Sequence, residues 1–268
     1  MLYEHFDCEI QDGTARISLL GATCPPLSEL CDEFLDLMLR LQDDDAARVI
    51  LITDGNRSFD LRPDLEAIAQ GKCDGESFVS VTPDLEIARK LITIMRDIAK
   101  PVVAAARGHV QESGLGFYLA ADVRLASTTA TFTPPDVSRG LLPDWGLSFT
   151  LPRLLGPGRT LDLLWSGRTL DAGEAERIGL VDRLLDDEAW EEDVAAYAER
   201  LSRLPQPAVH LLKLASQEGT QLDMTSMLSY EYEAQHRCWE GHETKEGMAA
   251  YLAGRSPNFA PAQAEDEA

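Results

Sequence analysis

The sequence has few cysteines, few lysines and no run of 18 or more apolar residues. A membrane-spanning helix needs about 20 mostly apolar residues, so we do not expect the chain to cross a membrane. Residues 1–7 contain no basic segment followed by an apolar stretch, so no signal peptide is expected. The five cysteines are scattered without metal-ligand spacing. They predict reduced thiols, a cytoplasmic protein and no metal site.

Lysine is so scarce, and acidic residues so frequent, that the formal net charge is −22. Binding to nucleic acid depends on clustered Lys and Arg, so nucleic acid is excluded as a general partner. A small anionic ligand remains compatible with a locally basic pocket. The acidic surface fits either a halophilic source or a need for solubility, and composition leaves both interpretations open.

What the chain does have is an alternation of apolar strands and amphipathic helices in its first half. With 268 residues, 44% of them hydrophobic, it can form one α/β domain or one domain with an appendage. Period-two and β-branched runs predict strands, whereas apolar residues at helical spacing predict helices. Strands are predicted at 14–19, 48–53, 102–106 and 123–126, and helices at 27–41 and 85–99. Their alternation predicts an α/β fold.

After Gly146 the pattern is almost entirely helical, interrupted by Gly, Pro and Asp. We therefore predict an α/β core over residues 1–200 and a helical C-terminal region over 201–259. Residues 260–268 are predicted to be a disordered acidic tail. The predicted helices are 147–155, 159–165, 172–178, 188–203, 206–217, 222–239 and 244–253.

Several motifs follow one another in an order typical of one protein family. The first motif is residues 100–108 with the segment up to Asp122, which resembles that family's strand, glycine-rich turn and buried helix that ends in an aspartate. The other motifs are 130–136 with 140–146, 166–168 with 172–181, and 243–248 with 258–259. Over residues 14–259 this series resembles the crotonase (enoyl-CoA hydratase/isomerase) superfamily. The alternative is a different α/β domain with coincidental motifs.

The resemblance implies a crotonase-like (ClpP/crotonase) fold of stacked ββα turns with a helical C-terminal region. It also implies a homotrimer or hexamer. We expect residues 201–259 to mediate oligomerisation and to cover coenzyme A, with their apolar face packed on a neighbouring subunit or on the core itself. The implied chemistry acts on an acyl-CoA thioester through an enolate. Coenzyme A would be part of the substrate, and no cofactor would be bound permanently.

The resemblance also assigns an oxyanion hole to two loops. Matching the family's motifs makes the backbone N–H groups of Leu61 and of Ser113 or Gly114 the donors that hold the enolate oxygen. Arg62 and Glu112-Ser113 stand where the family has glycines. A non-glycine residue with positive φ there would cost about 1 kcal/mol or more. The alternative interpretation is a surface turn followed by an N-cap serine.

The acid–base groups depart from the hydratase pattern. The two glutamates of family hydratases fall on Gly116 and Asp136, so hydration is doubtful. Asp144 matches a position where some family isomerases and a dehalogenase carry a working aspartate. We predict that Asp136 and Asp144 are catalytic, with at least one raised pKa, against the alternative that both are caps. Glu112 is one helical turn before Gly116 and can reach the same face, but capping or preceding the helix is the simpler interpretation.

The CoA phosphates are expected to meet Arg57, Arg62 and Lys245, unless these side chains are ordinary solvated surface. The favoured function is double-bond or ring isomerisation of an unsaturated acyl-CoA. The alternatives are a catalytically silent acyl-CoA-binding homologue and another hydratase, lyase or hydrolase on the same scaffold. Crotonyl-CoA should be hydrated poorly, and Gly116→Glu should raise hydration if the pocket has room.

Overall fold

A computed structural model of the protein describes residues 3–20, 27–55, 58–61, 82–219 and 221–259. The predicted acidic tail, 260–268, lies outside the described residues. Within the described part of the chain, no helix is long and apolar enough to cross a membrane.

A six-stranded sheet forms the centre of the molecule. In spatial order its strands are β1 (Phe6–Gln11), β2 (Thr14–Leu19), β3 (Val49–Thr53), β5 (Val102–Ala106), β7 (Val123–Ser127) and β10 (Arg183–Leu185). Strands β1 and β2 pair antiparallel, and the remaining pairs are parallel. Every residue of β3 and β5 is buried, which explains their continuous apolar sequences. The Asp12-Gly13 turn joins β1 to β2 with positive φ at both residues, as such hairpins require.

A second, smaller sheet continues the strands of the first. Its order is β4 (Phe59–Leu61), β6 (His109–Glu112), β8 (Thr131–Thr133) and β9 (Leu170–Asp171). Strands β4, β6 and β8 come next in the chain after β3, β5 and β7, respectively, so strand pairs and helices repeat as stacked units. The family resemblance predicts this arrangement, whereas no sequence pattern predicts the four short strands.

The helices lie close to their predicted positions. They are α1 (Leu27–Asp43), α2 (Thr82–Asp97), α3 (Ser113–Leu119), α4 (Leu147–Leu155), α5 (Pro157–Ser166), α6 (Ala172–Ile178), α7 (Trp190–Ser202), α8 (Gln206–Glu218), α9 (Met224–Glu240) and α10 (His242–Ala253). The expectation that the chain after Gly146 is almost entirely helical needs one correction. Strands β9 and β10 interrupt it, because each extends the edge of one sheet.

The core lies on both faces of the large sheet. On one face the main cluster includes α3, every residue of which is buried, and the rings of Phe34 and Phe117 meet with centroids 5.0 Å apart. On the other face Trp190, Val194 and Ala198 of α7 cover β3 and β5. The short helix α3 is therefore held on all sides by core packing, which fixes the position of its first turn.

A buried carboxylate holds the turn that leads into β6. Asp54, at the end of β3, accepts hydrogen bonds from the backbone N–H groups of Arg107 and Gly108, both at 2.8 Å. Asp54 is 4% exposed, and burial raises its pKa to about 6. Because this turn begins β6, Asp54 also determines where the end of β6 lies.

A buried lysine attaches the helical region to the core. The Nζ atom of Lys213, on α8, lies 2.8 Å from a carboxylate oxygen of Asp122. It also donates hydrogen bonds to the carbonyl oxygens of Met95 (3.0 Å) and Lys100 (3.1 Å). Asp122 in turn accepts the backbone N–H of Val102 at 2.8 Å. One ammonium group thus joins α8 to α2 and to the first residue of β5.

Replacing Lys213 should destabilise the protein. The variant Lys213→Ala leaves the Asp122 carboxylate without its cation, and such losses cost about 3 kcal/mol or more. Urea unfolding followed by circular dichroism measures the change in the free energy of unfolding. Lys90→Ala, at an exposed position of α2, is the control and should change stability by less than about 0.5 kcal/mol. Equal stability of the two variants would contradict this role for Lys213.

Candidate active site

A cavity of about 40 Å³ lies where β6 passes into α3. This volume is enough for a small number of water molecules. It is lined by Glu112, Ser113, Pro135, Asp136, Arg139, Leu141, Leu142 and Asp144. The structure therefore brings both predicted catalytic aspartates and one predicted oxyanion donor to the same place.

The three predicted oxyanion donors are neighbours in the fold. Ser113 is the first residue of α3 and is 4% exposed, and Gly114 follows it in the buried first turn. The N–H groups of a first helical turn have no partner within the helix. Leu61, the last residue of β4, pairs with Glu112 at the end of β6. The arrangement is compatible with an oxyanion hole, and the role of these groups stays a prediction.

Two residues at the site have unusual backbone conformations. Among the described residues, three non-glycine residues have positive φ, and one of them is Asp12 in the hairpin turn. The others are Glu112 (φ 55°, ψ −131°) and Trp145 (φ 51°). A non-glycine residue in such a region typically costs about 1–3 kcal/mol. The strain expected from a non-glycine residue in the glycine loop is therefore present at Glu112, whereas Ser113 is unstrained and helical.

Glu112 forms an ion pair with Arg139 that no sequence pattern indicates. Atom Nη2 of Arg139 lies 2.8 Å and 2.6 Å from the two carboxylate oxygens of Glu112. The Nε–H of Arg139 donates to the backbone carbonyl oxygen of Asp136 at 3.2 Å. Glu112 occupies the N-cap position of α3 but makes no side-chain capping hydrogen bond. Its side chain therefore faces the cavity wall and Arg139, not the helix that it precedes.

Asp136 caps the single 3₁₀ turn Val137–Arg139. Its carboxylate accepts hydrogen bonds from the backbone N–H of Ser138 at 2.8 Å and from the Ser138 hydroxyl at 2.7 Å. These bonds lower the pKa of Asp136, whose side chain is exposed. The geometry thus provides the capping contacts that were the alternative interpretation of this residue, and its catalytic role stays a prediction.

Asp144 lies in a different environment. Burial raises its pKa, and the negative charge of Glu112 raises it further, whereas its own backbone amide acts in the opposite direction. The expectation that at least one of the two aspartates has a raised pKa is met by Asp144.

Gly116 packs directly against Trp145. A Cβ atom built on Gly116 would lie 2.4 Å from the Cβ of Trp145 and 2.6 Å from its carbonyl oxygen. Trp145 is buried, with its ring edge-on to Phe117. The backbone of Trp145 therefore occupies the space that a side chain at position 116 would need. The condition under which Gly116→Glu was expected to raise hydration, a pocket with room, is not met.

The predicted CoA contacts are only partly within the described residues. Arg57 and Arg62 lie outside them, and Lys245 is exposed on α10. No group of three or more His, Cys, Asp and Glu in the described ranges is arranged to hold a metal ion.

The chain is similar to known proteins over most of its length. Residues 27–262 match the family model described as enoyl-CoA hydratase/isomerase. A crotonyl-CoA hydratase of Syntrophomonas wolfei is 32% identical over 229 residues, covering 85% of this chain and 86% of that protein. A probable enoyl-CoA hydratase, echA8, of Mycobacterium bovis is 29% identical over 232 residues, covering 87% and 88%. The crystal structure of an enoyl-CoA hydratase from Bacillus anthracis has a TM-score of 0.87 at 26% identity, covering 96% of this chain and 99% of that one. The crotonase fold expected from the motifs is confirmed.

A methyl group at position 116 should disturb the site. In Gly116→Ala the new Cβ meets the backbone of Trp145, so the tryptophan has to move, at a typical cost of about 1–3 kcal/mol. Near-ultraviolet circular dichroism reports the environment of Trp145, and urea unfolding reports stability.

The control is Gly158→Ala in the first turn of α5, where an added Cβ meets nothing within 4 Å. That change should leave the spectrum intact and stabilise the protein by up to about 1 kcal/mol. An unchanged spectrum and stability in Gly116→Ala would show that Trp145 does not constrain this position.

Proposed function

The chain belongs to the enoyl-CoA hydratase/isomerase family, and we propose that it isomerises an unsaturated acyl-CoA, by double-bond or ring rearrangement, instead of hydrating one. The observation that carries this proposal is the contact between Gly116 and Trp145. The family resemblance implies that hydration uses two glutamates, which hold and deprotonate a water molecule. Here the position of the first has no side chain and no space for one.

Isomerisation needs an enolate and a proton that moves between two carbons. The negative charge that forms on the thioester oxygen requires preorganised donors, each worth about a hundred- to a thousand-fold in rate. The backbone N–H groups of Leu61 and of Ser113 or Gly114 are the proposed donors. The adjacency of Leu61 to Glu112, and of Glu112 to Ser113, supports this assignment.

Asp144 is the better candidate for the proton carrier. A general acid–base group works best when its pKa is near the working pH. Burial shifts the pKa of Asp144 in that direction, whereas the hydrogen bonds from Ser138 shift the pKa of Asp136 away from it. The sequence pattern predicts that Asp136 and Asp144 share the proton transfer, and Asp136 lies at the exposed wall of the same cavity.

A catalytically silent acyl-CoA-binding protein is the second candidate function. Three departures from the family's pattern favour it: Gly116 has neither a side chain nor space for one, and Arg62 and Ser113 stand where the family has glycines. A CoA-binding titration beside a turnover assay separates the two functions, because binding without turnover supports the silent one.

We also propose that coenzyme A binds only as part of the substrate and that its phosphates lie near Arg57, Arg62 and Lys245. The proposed location of the protein is the cytoplasm. Guanidinium and ammonium groups are the ordinary partners of phosphate. The exposed position of Lys245 on α10 is compatible with such a contact.

The helical region exposes a large apolar surface in the single chain. Helix α9 has no buried residue, and α10 buries only Ala250. The exposed apolar residues of the two helices are Met224, Leu228, Tyr232, Trp239, Met248, Tyr251 and Leu252. Apolar surface of this extent marks an interface, which supports the proposed homotrimer or hexamer.

Light scattering at micromolar concentration should give the mass of a trimer or hexamer. Leu252→Asp places a charge on an 84% exposed leucine of this surface, so it should shift the protein toward smaller species. Leu39→Asp, at a half-exposed leucine of α1, is the control and should leave the mass unchanged. A monomeric wild-type protein would contradict the proposed assembly.

Asp144→Asn should lower the isomerisation of trans-3-hexenoyl-CoA by about 100-fold or more, because the amide cannot carry the proton. Product formation is followed by mass spectrometry, and crotonyl-CoA is offered in parallel as a hydration substrate. Asp136→Asn, measured beside it, decides between the two aspartates, since only loss of the proton carrier abolishes turnover. Efficient hydration of crotonyl-CoA by the wild-type protein would contradict the proposed function.

A further inference from the structure

We propose that Glu112 is the second acid–base residue of this site and that it works as a pair with Asp144, with Arg139 as its positioning residue. This inference rests on the proposed function and adds a residue to it. It rests on four observations about Glu112: its backbone conformation, its ion pair, its place in the cavity and its electrostatic effect on Asp144.

The backbone conformation of Glu112 is one that glycine adopts most easily. At φ 55° and ψ −131° a side chain is strained, yet the chain has a glutamate there. Such strain persists where the surrounding structure enforces it, and it is typical of functional sites. Here β6 ends on one side and the buried helix α3 begins on the other, so both neighbours of Glu112 are held.

Arg139 fixes the direction of the Glu112 carboxylate. Its Nη2 contacts both carboxylate oxygens, and its Nε is bound to the carbonyl oxygen of Asp136. The side chain of Glu112 is 18% exposed, so the pair lies largely within the wall of the cavity. An ion pair that only stabilised the surface would not require a strained backbone. It would also not require a position across a cavity from a second carboxyl group.

The charged and polar groups around the cavity give the two carboxyl groups different surroundings. Three elements face Glu112 across the cavity. The 3₁₀ turn contributes Arg139, the segment before α4 contributes Asp144, and the start of α3 contributes Ser113. The carboxylate of Asp136 faces Ser138. The charge of Glu112 contributes to the raised pKa of Asp144. The two carboxyl groups therefore have different roles: Arg139 holds the carboxylate of Glu112 as the base, and burial favours the protonated form of Asp144. Asp144 is the member that holds the proton.

A pair with one proton can carry out a complete isomerisation. The ionised Glu112 takes the proton from C2 of a 3-enoyl thioester, and the electrons of that C–H bond pass into the dienolate. The protonated Asp144 gives its proton to C4, which re-forms the thioester carbonyl and leaves a 2-enoyl product. Glu112 is then protonated and Asp144 ionised. The proton returns from Glu112 to Asp144 through water, for which the cavity has space.

The test separates removal of the C2 proton from delivery at C4. Exchange of deuterium from solvent into C2 of butyryl-CoA needs only the base at C2, whereas conversion of trans-3-hexenoyl-CoA needs both groups. Glu112→Gln should lower C2 exchange and isomerisation together by about 100-fold or more. Asp144→Asn should lower isomerisation to a similar extent but retain C2 exchange.

Two further variants distinguish catalysis from folding. Glu112→Gly restores the residue that fits the backbone, so it should fold as well as the wild type, bind CoA in a titration and still lose exchange. Arg139→Gln keeps the base but removes the group that orients it. The rate of C2 exchange should therefore fall less than in Glu112→Gln, and the pH dependence of that rate should shift. The control is Glu191→Gln, which breaks an exposed ion pair with Arg16 of the same 2.6 Å length and should leave exchange unchanged.

If Glu112→Gly exchanges deuterium at the wild-type rate while Asp144→Asn loses isomerisation, the proposed role of Glu112 is overturned and the proposed function stands. If the wild-type protein binds CoA but neither exchanges butyryl-CoA nor converts the hexenoyl-CoA, both proposals are overturned.

Discussion

The contact between Gly116 and the backbone of Trp145 constrains the whole site. Because residue 116 has no side chain, the segment before α4 can lie directly on the buried helix α3. That approach places Asp144 beside the end of β6, where burial and the charge of Glu112 act on it. The same approach removes the space for a glutamate on α3. One steric contact therefore leaves no space for a side chain at position 116 and creates the environment of the proposed proton carrier.

The packing around the site holds its strained backbone in place. Glu112 and Trp145 both have positive φ, and each costs stability that the rest of the fold has to offset. Helix α3 is buried along its full length, and the turn before β6 is held by the carboxylate of Asp54. These contacts leave the backbone at residue 112 little freedom to relax. The ion pair with Arg139 then adds a fixed orientation to a residue that is already fixed in position.

The helical region serves the core in a different way. Lys213 attaches α8 to α2 and β5 through a buried ammonium group, so this region is part of the folded unit and not a loose extension. Beyond it, α9 and α10 present apolar side chains to solvent in the single chain. The proposed oligomer would cover them.

The sequence by itself determined the fold family, the long strands and the helices, because apolar periodicity and ordered motifs are local signals that span many residues. The strands β4, β6, β8 and β9 have two to four residues, too few to show a period, and they form only because adjacent strands pair with them. Sequence matching also singled out Gly116, Asp136 and Asp144. Only the tertiary structure decided that Trp145 fills the space beside Gly116 and that Glu112 meets Arg139. Those contacts join residues up to 29 positions apart, and no local pattern specifies a contact across such a distance when the backbone between its partners turns several times.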